Sequence, residues 1–329
     1  MNIINELREI ESEIFDDNLD FDSIALRLFE LHYENNEVYH KYCKIIGKNP
    51  NKISNIDEIP LLPVDIFKNQ KVILRDLPAE RIFETSGTIV DKKGKHYVPF
   101  LRVYDKSLLV SFEKFFGSPS QYRFLFLLPN YLEQPNSSLI YMASILARNA
   151  IEAVFIKWDY KSVFEIIKKW NKEKSKIIIW GVSFALLEFT EKYQIHLDNA
   201  IIIETGGMKG KREEMTRDEL HEKLKNAFSI ENIASEYGMT ELLSQAYAIK
   251  NGIFYSPKWM KIVIKDRYNH LLSIPNMTNG KIGIIDLANL YSMPFILTDD
   301  IGIKYLDGSF EVIGRFDYSV LRGCNLLYF

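Results

Sequence analysis

Between residues 123 and 207, short apolar runs alternate with amphipathic stretches, and this alternation restricts the fold more than any other feature of the chain. The runs are RFLFLLP (123–129), AVFIKW (153–158), KIIIWGV (176–182) and NAIIIETGG (199–207). Each is β-branched or aromatic, is short, and ends in turn residues, as strands buried on both faces do. The stretches SSLIYMASILARNA, YKSVFEIIKKWNKEK and SFALLEFTEKY between them place apolar residues every three or four positions and so predict helices. Strand, helix, strand in this rhythm implies crossover units and a mostly parallel sheet with flanking helices.

The flanks read differently. Residues 1–58 carry Ile10, Ile14, Ile24, Leu26, Leu28, Phe29 and Tyr33 at helical spacing, a helical lead-in. IPLLPVDIFKNQKVIL (59–74) has two prolines and then an apolar run, predicting an extended approach to the α/β core of residues 59–250. Beyond 250 come WMKIVIKD, GKIGIIDLA, PFILTDD and GSFEVIGRFD without a helical stretch between them, so 251–329 reads as a β-rich lobe completing that core. The fold class is α/β.

Composition narrows the function. A formal charge of −3, with 41 Lys and Arg interspersed among 44 Asp and Glu, gives no electrostatic footprint for nucleic acid. There is no apolar stretch of about 18 residues, the length a membrane span needs. The acidic, amphipathic N-terminus is unlike a secretory signal, and Cys43 and Cys324 are too few for a disulfide framework. The expected setting is the cytoplasm.

Five segments have the residue types for chemistry. In ETSGTIVDKKGKHY (84–97) small hydroxylated residues surround Gly87 and lysines follow. Such a segment serves as a phosphate loop, through backbone N–H groups and hydroxyls, or as an ordinary polar turn. IIIETGGMKG puts paired glycines after a strand, which suits a flat ring lying on backbone or a plain strand-to-helix turn. ASEYGMTELLSQAY (234–247) sets Tyr237, Gly238, Thr240 and Glu241 among apolar residues. An acid beside a threonine can hold Mg²⁺ and phosphate, or the pair can start a helix with Thr240 as cap. LTDDIG (297–302) reads as two aspartates after a strand, fit for a ribose diol or a hairpin turn. In RGCNLLYF, Arg322 beside Cys324 favours a thiolate, whereas burial would make the cysteine inert. The histidines form no triad or ligand spacing, and His96 reads as a surface residue.

Taken in order, TSGT, ETGGMKG, SEYGMTE, TDD and GRFD resemble the sequential core motifs of the adenylate-forming superfamily of acyl-CoA synthetases, peptide-synthetase adenylation domains and firefly-type luciferases. ETGGMKG, SEYGMTELLSQAY and RGCNLL are most similar to the acyl-protein synthetase of bacterial bioluminescence and its non-luminous relatives. The resemblance runs from about residue 60 to the C-terminus. It implies ATP-dependent activation of a carboxylic acid, of the fatty class, to acyl-AMP, with Mg²⁺, and transfer of the acyl group to a thiol. By the same resemblance Thr85, Ser86, Gly87 and Thr88 face the phosphates, Gly206 and Gly207 pack on adenine, and Tyr237 flanks the base. Thr240 contacts phosphate, Glu241 holds the metal, Asp300 binds the ribose hydroxyls with Arg315 in support, and Cys324 receives the acyl group. Coenzyme A, the pantetheine arm of an acyl-carrier protein, or a reductase partner are the other acceptors and partners it implies.

The sequence also departs from the superfamily. Ile89, Val90 and Asp91 stand where a second loop glycine is usual. The sequence runs only a short way past GRFD and RGC, so the small C-terminal domain that supplies a lysine elsewhere in the superfamily is expected to be missing. Lys92, Lys93, Lys95, Lys209 and Lys211 are candidates to replace it. Trp180 to Glu188 and Leu127 to Glu133 offer an apolar lining for an acyl chain, or ordinary core. Two other functions fit the residues: an acyl transferase using a preformed donor without ATP, and an inactive nucleotide-binding or assembly protein.

Overall fold

The computed structural model describes residues 3–75, 77–86, 92–129, 134–206 and 215–316. In chain order they form α1 (Ile3–Glu13), α2 (Phe21–Asn35), α3 (Glu37–Ile45), β1 (Leu62–Pro63), β2 (Arg81–Glu84), β3 (Lys95–Val98) and α4 (Leu101–Phe116). The crossover series is β4 (Arg123–Leu127), α5 (Ser138–Arg148), β5 (Glu152–Ile156), α6 (Tyr160–Lys172), β6 (Ile177–Val182), α7 (Ser183–Lys192), β7 (Ala200–Thr205), α8 (Arg217–Phe228) and β8 (Ala234–Tyr237). The strands β9 (Ala246–Ala248), β10 (Met260–Lys265), β11 (Asn279–Asp286), β12 (Phe295–Lys304) and β13 (Phe310–Arg315) follow. The residues fall into two compact units, 78–257 and the pair of segments 1–77 and 258–329.

In the 78–257 unit six strands run in the order β5-β4-β6-β7-β8-β9, the first five parallel and β9 antiparallel to β8. The alternation in the sequence is therefore a parallel sheet. Every residue of β6 is buried because strands flank it on both sides, whereas β5, at the edge, is half-exposed along most of its length. The expectation of a fully buried strand at 153–158 is corrected by that edge position. Strand order reverses between β4 and β6, and the two segments named as acyl lining leave the sheet at that point. In an open α/β sheet this is where ligands bind. The described residues of both segments are tightly packed: a Cβ on Gly181 would lie 2.8 Å from the Leu186 side chain and 3.0 Å from that of Leu127.

Helix boundaries follow local chemistry. Thr216 and Glu219 form a reciprocal capping box at the start of α8, and Ser137 caps α5. Helix α4, which the sequence reading passed over, buries Val103, Leu108, Phe112 and Phe116 along one stripe.

In the other unit β10, β11, β12 and β13 are successively antiparallel, and β1 lies parallel to the first part of β12. Helices α1 to α3 carry the predicted apolar stripe, with Ile10, Ile24, Leu28 and Phe29 buried. Of the 59–74 stretch only two residues are strand; Val64–Lys68 turn instead into a 3₁₀ helix. Among the described residues no helix is long and apolar enough to cross a membrane.

Candidate active site

In the 78–257 unit β2 and β3 form an antiparallel hairpin whose stem carries the first motif. Thr85 is pinned at its end: its N–H donates to the Gly94 carbonyl at 3.0 Å, and Gly94 N–H donates to Thr85 Oγ1 at 2.9 Å. Ser86 is exposed beside it, while Gly87 and Thr88 lie outside the described residues. Lys93 and Lys95 lean on Glu84 at 4.0 and 3.8 Å. Lys209 and Lys211 lie outside the described residues.

Thr240 and Glu241, 150 residues along the chain, meet this hairpin. They do not start a helix, so Thr240 is not a helix cap; they lie in a turn in which Leu242 N–H donates to the Met239 carbonyl at 3.2 Å. Glu241 is buried, and a Cβ built on Gly94 would lie 3.0 Å from its Oε1 and 3.1 Å from Thr85 Cγ2. Glycine at position 94 is what leaves room for the carboxylate and the threonine side by side. His96, expected at the surface, is fully buried: it is the inward residue of β3, and its Nδ1 lies 2.8 Å from the Thr240 carbonyl oxygen.

The ETGG segment ends β7. Gly206 has φ +61°, in the left-handed region that glycine occupies without strain; Gly207 lies outside the described residues. Ahead of it Glu204 is buried and accepts from Ser183 Oγ at 2.9 Å, with Arg217 Nε at 3.6 Å and His221 Nε2 at 3.7 Å. Burial on its own raises the pKa of this carboxyl, but the hydrogen bond with His221 and the Arg217 charge outweigh it and hold the group below the usual carboxylate value. His221 Nε2 also lies 3.3 Å from Ser235 Oγ. Acid and serine thus meet the same ring nitrogen, which is a clamp between β7, α8 and β8 rather than a relay. Thr205 donates to the buried Glu236 carboxylate. Tyr237 is buried, edge-on to Phe254 at 5.9 Å between centroids.

The remaining candidates belong to the other unit. Asp299 and Asp300 do not follow a strand but lie inside β12, because β13 continues the pairing past them, with a register shift at Ile301 and Gly302. Asp300 is the cross-strand partner of Arg315, whose Nε lies 3.6 Å from Asp300 Oδ1. Thr298 Oγ1 donates to the Ile282 carbonyl and accepts from Asp300 N–H at 3.0 Å. Asp299 turns to the buried Lys281 at 3.9 Å. Cys324 lies outside the described residues. The second cysteine, Cys43, is buried in α3, and burial pushes its thiol up to about 12, which removes it as a nucleophile.

Sequence reasoning missed Glu204, Glu236 and Gly94, and it placed His96 at the surface. For Glu204 and Glu236 the signal is a charged residue in an otherwise uncharged strand. Nothing local marks His96, because its partner is far away in sequence.

Glu241 and Thr85 lie together against Gly94 and offer oxygen atoms with one carboxylate. Oxygen ligands of that kind would suit Mg²⁺, which uses one or two carboxylates together with substrate phosphates. Among the described residues no group of three or more His, Cys, Asp or Glu is placed to hold a metal on its own.

Comparison with known proteins follows the same lines. The family described as "Acyl-protein synthetase, LuxE" matches residues 9–89. The long-chain-fatty-acid–luciferin-component ligase of Aliivibrio fischeri is 24% identical over 337 residues, spanning 93% of this chain and 86% of its own. The ligase of the same name from Vibrio harveyi is 22% identical over 333 residues, spanning 91% and 84%. Among solved structures, 2-hydroxyisobutyryl-CoA ligase in complex with 2-HIB-AMP and CoA superposes with a TM-score of 0.68 at 11% identity, over 90% of this chain and 70% of that one. The o-succinylbenzoate coenzyme A synthetase of Bacillus subtilis, in complex with ATP and magnesium ion, gives 0.53 at 19% identity over 71% of this chain, which spans about half (49%) of that enzyme's length. The chain has the fold of the adenylate-forming acyl-CoA ligases, and along nine-tenths of its length it is similar to the two long-chain-fatty-acid–luciferin-component ligases.

Proposed function

We propose that this protein joins a long-chain fatty acid to AMP, releasing pyrophosphate, and then passes the acyl group to a thiol. The observation that carries the reading is the meeting of the Thr85 hairpin with the Thr240–Glu241 turn through Gly94 and His96. It brings a hydroxyl-bearing loop stem and a buried carboxylate to one point, as a nucleotide triphosphate with its cation requires.

In this reading Thr85, Ser86, Gly87, Thr88 and Thr240 donate to phosphate oxygens. Glu241 binds the metal, Gly206 and Gly207 accept the adenine face, and Tyr237 flanks it. Asp300 accepts from the ribose hydroxyls and Arg315 lends charge. Mg²⁺ bound at Glu241 would supply charge neutralisation for the triphosphate. The carboxylate oxygen of the acid attacks the α-phosphorus while the bond to pyrophosphate breaks. A thiolate then attacks the acyl carbon of the mixed anhydride, and AMP departs with the electron pair. Cys324 is the internal thiol of choice because Cys43 is buried and held protonated. Coenzyme A, a carrier protein's pantetheine arm or a reductase partner would be the onward acceptor. ATP and reduced thiols coexist in the cytoplasm, the setting this chemistry calls for.

The test is acid-dependent pyrophosphate release from Mg²⁺-ATP across short, long and aromatic acids, with intact mass recorded. Release with long-chain acids and an acyl-sized mass gain that Cys324→Ser abolishes is the expected result. Release without mass gain moves acceptance to an external thiol. No stimulation by any acid overturns adenylation and favours transfer from a preformed acyl donor.

A further inference from the structure

His96 lies outside TSGT and SEYGMTE, yet together with Gly94 it joins the two. It is fully buried on β3, and its Nδ1 lies 2.8 Å from the carbonyl oxygen of Thr240. A carbonyl only accepts, so Nδ1 carries the hydrogen. Two residues before it, Gly94 reaches both neighbours of interest: it exchanges two hydrogen bonds with Thr85, and its Cα hydrogen faces the Glu241 carboxylate at a spacing a methyl group would fill. Positions 94 and 96, on the same face of an extended segment, thus hold consecutive residues of the turn, Glu241 and Thr240. The turn itself is neither helix nor strand.

We infer that His96 is a positioning residue, whose Nδ1–H ties the Thr240–Glu241 turn to the Thr85 hairpin and so fixes the distance between the metal-holding carboxylate and the phosphate-facing hydroxyl. The functional half of this inference rests on the adenylation reading; the structural half does not. An imidazole suits the task because it donates from a rigid ring at the depth where a lysine or arginine would bring an unpaired buried charge.

The test compares wild type with His96→Asn, whose amide donates from nearly the Nδ1 position, and His96→Leu, which cannot donate. Should His96→Leu not fold, His96→Phe fills the ring volume without a donor. Amide hydrogen exchange of residues 238–245 in the full chain without ligand is expected to speed up about 10-fold in the Leu or Phe variant and to stay within about 3-fold of wild type in Asn. In acid-dependent ATP–pyrophosphate exchange, the Mg²⁺ needed for half-maximal rate should rise about 10-fold in Leu or Phe and be restored in Asn, since small misplacement of a site group is costly. Wild-type protection of 238–245 in the Leu or Phe variant overturns the inference. Equal impairment of Asn and Leu also overturns it, by assigning the effect to packing. If the wild type itself gives no acid-dependent exchange, the adenylation reading falls, while the hydrogen-exchange comparison still decides the role of His96.

Discussion

In the 78–257 unit the acids of interest are enclosed: Glu204, Glu236 and Glu241 expose 6%, 8% and 3% of their surface and are held by neighbours from other elements. In the other unit Asp299 and Asp300 lie side by side in an antiparallel strand, and the arginine paired with Asp300 leaves 77% of its side chain in water. Parallel strands end together, so their terminal residues crowd one another and must satisfy each other's charges. The antiparallel pair β12–β13 instead leaves the arginine of β13 near solvent. The lesson is one of coupling. Changes in the first region are expected to disturb the packing around the site, whereas the Asp300–Arg315 pair, with its arginine in water, contributes little to stability.

Replacing Glu204 by Gln gives the largest effect. It removes the anion facing Arg217 and His221 and is expected to cost roughly 3 kcal/mol, read from urea unfolding. The folded-state pKa of Glu204 is lowered, so its contribution is present above the usual carboxylate value near 4.5 and is lost as pH falls through the folded value. The gap between Gln variant and wild type should therefore close in acid. A constant gap from pH 3 to 7 would show that shape, not charge, holds β7 to α8.

His32 puts the same comparison in the other unit, with the opposite chemistry. Its Nε2 donates to the Leu290 carbonyl at 2.8 Å, its Nδ1 has no partner, and burial pushes its pKa down to about 4 from 6.5. Between those values the unfolded chain takes up a proton that the folded chain refuses, so stability rises with pH from 4 to 6.5. The span is about 3 kcal/mol at ~1.4 kcal/mol per pH unit, and His32→Gln should remove the slope. A slope that survives the substitution would place the titrating group elsewhere.

Glu241→Gln should lower ATP–pyrophosphate exchange about 100-fold, as loss of a group that stabilises developing charge does. Near-normal exchange would remove it from the metal-holding role. Asp300→Asn should raise the KM for ATP about 10-fold with the melting temperature unchanged, the size of one lost charge-assisted hydrogen bond. Asp299→Asn should do less, since that carboxylate serves Lys281. Equal effects would mean that the two aspartates exchange roles. Thr298→Ala is expected to cost about 1 kcal/mol of stability, because Thr298 Oγ1 bridges the Ile282 carbonyl and Asp300 N–H.

Much of this was legible beforehand. The parallel sheet followed from apolar runs of strand length separated by helical periodicity, since burial on both faces demands such runs. The N-terminal helices and the β-rich segment after 250 followed from the same periods. The order of five motifs pointed to the fold. The hairpin at 81–98 left no trace, because its strands are four residues each and half-exposed. The aspartates were placed after a strand because Asp-Asp reads locally as a turn, whereas cross-strand pairing with Arg315 extends β12 through them.

The sequence by itself determined the periodicities, the motif order and the residue types at each candidate position, all of which depend on neighbours within a few residues. Tertiary structure alone decided which of those residues touch: that Gly94 makes room for Glu241, that His96 reaches Thr240 across 144 residues, and that Glu204 is clamped between Ser183, Arg217 and His221. The physical reason is that burial and hydrogen-bond partnership belong to the packed arrangement of distant segments. A buried histidine and an exposed one have the same local sequence, and only the carbonyl brought against the ring tells them apart.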